Sequence, residues 1–207
     1  LDIRRTEEIA VNFGAGNDTA RIADDVTAEV LLDLNGGDGI DLLDFSDSAV
    51  AVTVNLGGNT ANSATVRNFE NITGSDFDDV LIGSGGTNVI EGGAGNDSII
   101  GARGNDTLSG GEGNDTLTGS NTVETFRGGA GADVIDGGGS LQDRVDYSTS
   151  DAGGNVSINS AGVGTASGGH AEGDTLINVE NITGSEFDDV ISSNTNKVNL
   201  RGLGGND

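Results

Sequence analysis

The chain predicts an all-β fold, a parallel β-roll or β-solenoid of very short strands, and three observations support that prediction. Glycine recurs with a constant step of nine at positions 74, 83, 92, 101, 110, 119, 128 and 137. Two other series are locked to the same step: the apolar residues Leu81, Ile90, Ile99, Leu108, Leu117, Phe126 and Ile135, and the acids and amides Asp79, Asn88, Asp97, Asp106, Asp115, Glu124 and Asp133. No segment carries a helical apolar period, whereas short alternations of apolar and polar residues recur along the chain.

Composition narrows how such a chain holds together. The 207 residues carry 34 acidic and 9 basic side chains, a net charge of −25, which excludes a nucleic-acid binder held by phosphates. Cys, Pro, Met and Trp are absent, so disulfides and zinc–thiolate sites are excluded as well. Leu, Ile, Val and Phe make up about a quarter of the chain, only slightly above the roughly 20% at which strongly charged chains stay disordered. Carboxylates have to be neutralised before the chain collapses, and the staples that remain are packing or an oxygen-ligated metal. No stretch has the length of a membrane span, and no apolar leader follows Leu1. Gly202 to Asp207 stops within a motif met earlier, so the chain reads as an excerpt of a larger protein.

Each nine-residue unit has the grammar of a turn followed by a strand. Its first six places are dominated by Gly, Asn and Asp, which tolerate positive φ and expose backbone groups. Its last three, such as Thr116, Leu117 and Thr118, send one apolar side chain inward and two polar ones outward. Because every turn reverses the chain, alternate units stack and one coil takes 18 residues. One edge then stacks Asp79, Asp97, Asp115 and Asp133, and the other Asn88, Asp106, Glu124 and Gln142. Layers about 4.8 Å apart place a calcium ion, with oxygens at about 2.3–2.6 Å, within reach of both. The first edge is expected to hold three good calcium sites. The second is expected to bind more weakly, because amides supply less charge and Glu124 is longer.

GGAGNDSII (92–100), GGEGNDTLT (110–118) and GGAGADVID (128–136) follow the consensus GGxGxDxUx at every fixed place. In this the chain resembles the hemolysin-type, or RTX, calcium-binding repeat family, whose fold is the parallel β-roll. The resemblance implies that each calcium takes the second and fourth carbonyls and the Asp of one turn, plus the first and third carbonyls and the Asp of the turn stacked on it. Carried over, the site between Asp97 and Asp115 uses the carbonyls of Gly93, Gly95, Gly110 and Glu112. The site between Asp79 and Asp97 uses those of Ser75, Phe77, Gly92 and Ala94, and that between Asp115 and Asp133 those of Gly111, Gly113, Gly128 and Ala130. Asp106 is the acid of the second edge, whose units 83–91 and 119–127 depart from the pattern at the sixth place. The resemblance also implies export as an unfolded chain by type I secretion.

A longer similarity links the flanks. FENITGSDFDDVL (69–81) returns as VENITGSEFDDVI (179–191), and DLLDFS (41–46) returns as DRVDYS (143–148), so the chain holds about one and a half copies of a module of about 100 residues. Residues 1–73 read as an N-terminal β-solenoid segment with isolated calcium turns at Asp18 and Asp41, and 74–136 as the roll. Residues 137–183 read as wider β-coils, with a candidate acid at Asp143, and 184–207 as the truncated start of a second roll, with Asp189 and Asp207 eighteen apart. Val26, Val30, Leu32 and Leu34 alternate as strands continuing the solenoid, and the stretches 49–66, with Val50, Val52, Val54 and Leu56, and 152–169 read as strands of wider coils.

The remaining chemistry is sparse. Glu70 and Glu180 read as turn or cap residues, and Lys197 sits in a degenerate unit. His170, the only histidine, reads as the variable residue of a variant turn, and Tyr147 replaces Phe45 as a packing residue. No catalytic constellation emerges. The expectation is a non-enzymatic module of a large secreted or cell-surface bacterial protein (an adhesin, surface-layer protein or toxin) that folds on several Ca2+ ions outside the cell. Its candidate partners are other surface modules or polysaccharide, with no nucleic acid and no membrane span. The alternative is an accessory C-terminal module beside a secreted metalloprotease, lipase or polysaccharide epimerase.

Overall fold

The computed structural model describes residues 7–22, 30–159, 161–194 and 198–207, which leaves Val26 and Lys197 outside. The described strands form two sheets, and the described residues contain no α-helix, only a 3-10 turn over Gly169–Ala171. In the centre of the chain, successive units alternate between the sheets. Val80–Ile82, Ser98–Ile100, Thr116–Ser120 and Val134–Gly138 stack in parallel in one. Asn71–Thr73, Val89–Ala94, Thr107–Glu112, Thr125–Ala130 and Arg144–Asp146 stack in parallel in the other.

The register follows the apolar step. Leu81 lies beside Ile99, Ile99 beside Leu117, and Leu117 beside Ile135. In the facing sheet Ile72, Ile90, Leu108, Phe126 and Val145 form the second column. All are buried, with Phe126 the largest, while Thr116 beside Leu117 is exposed. Burial of each such side chain contributes about 1.5–3 kcal/mol.

On either side of the roll the first sheet continues through an antiparallel meander. Thr53–Asn55 lies parallel to Val80–Ile82 but antiparallel to Thr60–Ala61, which is antiparallel to Ala64–Arg67, which in turn lies parallel to Val30–Asn35. The second copy repeats the plan: Thr175–Ile177 lies parallel to Val134–Gly138 and antiparallel to Val163–Ser167, and Asn155–Ile158 returns parallel to Val190–Ser193. The coils expected around 49–66 and 152–169 are wide because each contains a hairpin. Alternation marks a strand but leaves its direction open.

The repeated D-x-x-D-[FY]-S motif joins the layers. Its second acid, Asp44 or Asp146, accepts the N–H of Ser46 or Ser148. It also pairs with an arginine one coil earlier, Arg21 at 2.7 Å or Arg127 at 2.8 Å. Burial alone would raise both carboxyls, but the serine and arginine partners hold them below the ordinary carboxylate range. Phe45 and Tyr147 follow as buried aromatics at equivalent places.

Candidate metal centres

The sixth-place acids form hydrogen-bonded ladders along the stacked turns. On the first edge Val52 N–H donates to Asp79 Oδ1 at 2.7 Å, Asp79 N–H to Asp97 Oδ1 at 2.8 Å, and Asp97 N–H to Asp115 Oδ1 at 2.8 Å. Asp115 N–H continues to Asp133 Oδ1 at 2.8 Å, and Asp133 N–H to Asp174 Oδ1 at 2.9 Å. On the second edge Asp18 N–H donates to Asp41 Oδ1 at 2.7 Å, Asn88 N–H to Asp106 Oδ1 at 2.8 Å, and Glu124 N–H to Asp143 Oδ1 at 2.9 Å. A third ladder runs from Gly154 N–H to Asp189 Oδ1 and from Asp189 N–H to Asp207 Oδ1.

Each Asp other than Asp18, which enters through its N–H, spends Oδ1 on its ladder. The other, Oδ2, lies buried with no hydrogen-bond partner in Asp18, Asp41, Asp97, Asp106, Asp115, Asp133 and Asp143. An unpaired buried carboxylate oxygen is costly, and the charge responds. Burial, with the neighbouring acids adding to it, pushes Asp97, Asp133 and Asp143 up to about 7 and Asp106 up to about 6. Asp115 is raised for the same first reason.

The donors suit a hard cation. A Cβ on Gly92 would collide with Asp97 Oδ2 and lie 2.6 Å from the Gly110 carbonyl oxygen; one on Gly110 would collide with Asp115 Oδ2 and lie 2.6 Å from that of Gly128. The acid of one layer and the first carbonyl of the next therefore face the same small space. Gly93, Gly95, Gly111 and Gly113 have φ of +120°, +110°, +120° and +126°, a region that disfavours other residues. Cβ atoms on Gly111 and Gly113 would strike the Gly93 and Gly95 carbonyls of the layer below. The carbonyls of Glu112 and Ala130 each accept one N–H, from Gly95 and Gly113, and keep a second lone pair. No group of three or more His, Cys, Asp or Glu able to hold a metal occurs among the described residues. The donor set is instead two carboxylates per layer gap with backbone carbonyls, the oxygen-only chemistry that calcium takes.

Several expectations need correction. Asp143, not Gln142, stacks beyond Glu124, because the turn after Gly137 holds one extra residue. Asp18 and Asp41 are not isolated; their turns stack through the Ala15–Asp38 bridge and the Asp18–Asp41 ladder bond. Glu70 and Glu180 are ladder members, since their Oε2 atoms accept the N–H groups of Asp41 and Asp143. Asp174, missed in sequence, ends the first edge and accepts the Tyr147 hydroxyl at 2.8 Å. His170 precedes it on the 3-10 turn, its N–H donating to Ser150 Oγ.

Fold and site together define a class: a parallel β-roll whose stacked Gly-Asp turns offer paired carboxylates and carbonyls to a cation. Residues 69–99, 82–117 and 118–140 match the RTX calcium-binding nonapeptide repeat, in four copies, and the stretch 69–140 is built of these calcium-binding repeats. No curated protein matches the chain.

Proposed function

We propose that the chain is a calcium-folded structural module of a secreted or cell-surface bacterial protein, contributing architecture rather than catalysis. The observation that carries this reading is the column of buried, unpaired carboxylate oxygens stacked one layer apart. Acids about 4.8 Å apart repel one another, and burial makes their charge costlier. At extracellular millimolar calcium, binding free energy becomes folding free energy; at cytosolic submicromolar levels it does not. The ions lie between Asp97 and Asp115, with the carbonyls of Gly93, Gly95, Gly110 and Glu112, and between Asp115 and Asp133, with those of Gly111, Gly113, Gly128 and Ala130. A further ion lies between Asp18 and Asp41. The net charge of −25 and the lack of Cys suit passage through export as an open chain. The repetition of whole modules favours a structural array over a single accessory domain beside an enzyme.

Far-UV circular dichroism of the chain, titrated from chelator to 10 mM calcium and in parallel with magnesium, tests the reading. A cooperative coil-to-β transition with calcium alone is expected. A chain equally folded in chelator overturns the calcium-gated reading.

A further inference from the structure

We infer that the second residue of each turn decides whether that turn takes calcium, and that serine there withdraws it from metal binding; the inference rests on the calcium reading above. The seven acids with an unpaired oxygen belong to turns whose second residues are Gly14, Gly37, Gly93, Ala102, Gly111, Gly129 and Gly138, all at positive φ. Four turns carry serine at that place instead, namely Ser75, Ser84, Ser120 and Ser185, and none of these has positive φ.

In all four the serine fills the acid or amide of its own turn. Its N–H donates to Asp79 Oδ2 at 2.6 Å, Asn88 Oδ1 at 2.7 Å, Glu124 Oε2 at 3.3 Å and Asp189 Oδ2 at 2.6 Å. Its hydroxyl reaches the same side chain at 2.8, 3.3, 3.1 and 3.1 Å. The same Oγ accepts the N–H of the fourth residue, Phe77, Gly86, Thr122 or Phe187, at 3.1–3.3 Å. Where glycine holds the second place, the fourth N–H goes to the next layer: Gly16 to Asp38 O, Gly95 to Glu112 O and Gly113 to Ala130 O. A serine turn thus puts an N–H dipole where the cation's charge would sit.

Both flanking acids keep an unpaired oxygen in only three gaps among the described residues: Asp18/Asp41, Asp97/Asp115 and Asp115/Asp133. The Asp79/Asp97 gap, which has an acid at both sixth places, is closed by Ser75, and Asp106 lies between the serine-closed turns of Asn88 and Glu124. Beyond Asp133 the Tyr147 hydroxyl closes Asp174. The two ENITGS motifs therefore each begin a roll on a turn held by hydrogen bonds alone.

Counting bound calcium on the full chain by flow dialysis tests this. Wild type is expected to bind three ions. Ser75→Gly is expected to bind four, and Asp79→Asn added to it to return the count to three; Asp79→Asn alone leaves three. Ser185→Gly is expected to add one ion independently, since Asp207's turn already has positive φ at Leu203. Loss of an ion from Asp79→Asn alone, or unchanged counts in both glycine variants, overturns the serine rule while leaving the calcium reading intact. A folded wild-type chain that binds no calcium sinks both.

Discussion

Replacing Asp115 by Asn reverses the sign of its effect on stability between calcium and chelator. Asp115 is 1% exposed, its Oδ1 accepts the Asp97 N–H at 2.8 Å, and its Oδ2 has no partner. Asn keeps the shape and the Oδ1 acceptor, so the ladder survives. In chelator it removes one charge facing Asp97 and Asp133 across about 4.8 Å, a repulsion of about 1 kcal/mol per neighbour in water and about 3 at an effective dielectric of 20. The variant's amide N–H₂ also sits near the Gly128 carbonyl. Over the two neighbours a gain of roughly 2–6 kcal/mol is expected in chelator at pH 8, where they are charged. With calcium, Asp115 serves two gaps, and each ion present at a hundredfold excess over its Kd stabilises by about 2.7 kcal/mol. Loss of both removes roughly 5 kcal/mol.

The assay pairs two titrations read by far-UV circular dichroism. In chelator, folding is driven by sucrose, which favours burial by exclusion from the protein surface; the variant is expected to fold at lower sucrose than wild type. Without sucrose, it is expected to need more calcium. Shifts in the same direction in both arms, or in neither, would show that Asp115 acts only as a ladder acceptor and refute the charge argument.

Phe126→Ala, at the fully buried centre of one column, is expected to cost about 3–5 kcal/mol, read as a lower urea midpoint in saturating calcium. Tyr147→Phe leaves a buried Asp174 oxygen without its 2.8 Å donor and is expected to cost about 1–3 kcal/mol in the same measurement; an unchanged midpoint would deny the hydroxyl its role. In chelator, acid is expected to stabilise the fold. Burial raises Asp97, Asp133 and Asp143 to about 7 and Asp106 and Asp174 to about 6, so the folded form binds more protons than the unfolded form between about pH 4 and 7. That stabilisation is complete below about pH 4 and is lost as pH rises through 6 to 7. The sucrose midpoint in chelator is therefore expected to be higher at pH 8 than at pH 5, and the opposite order would contradict the burial of these acids.

The roll itself was legible because a fixed step of nine converts directly into register: Ile99 beside Leu117 and Asp97 under Asp115 follow from arithmetic once alternate units stack. What escaped was whatever broke the step. The extra residue before Asp143 moved the ladder past Gln142, and the meander through Val163–Ser167 carried the first edge from Asp133 to Asp174, 41 residues on. The glutamates of ENITG reach the ladder by one more methylene than Asp, which spacing alone does not reveal. Ser75 and Ser185 were visible at the second place, but their meaning lies in the direction of an N–H, which depends on φ and not on composition.

The ladder persists where the repeat does not, and this identifies what the fold holds constant. Ladder bonds span 18 residues within the roll, but 23 from Asp18 to Asp41, 29 from Asp41 to Glu70, 37 from Asp143 to Glu180 and 41 from Asp133 to Asp174. The spans of 29, 37 and 41 residues each take in an antiparallel meander. The chain then re-enters the sheet in register, as Thr175–Ile177 does on Val134–Asp136. The carboxylates are therefore positioned by the layer spacing of the parallel sheets, and the nonapeptide is the shortest chain that completes half a coil. Where a coil gains a meander it also gains apolar cover, Val156 and Ile158 in the second copy and Val52 and Val54 in the first. Wide coils flanking a narrow roll thus set two arrangements side by side: apolar meanders around Val52, Val54, Val156 and Ile158 at the flanks, and the acid column of Asp97, Asp115 and Asp133 in the centre.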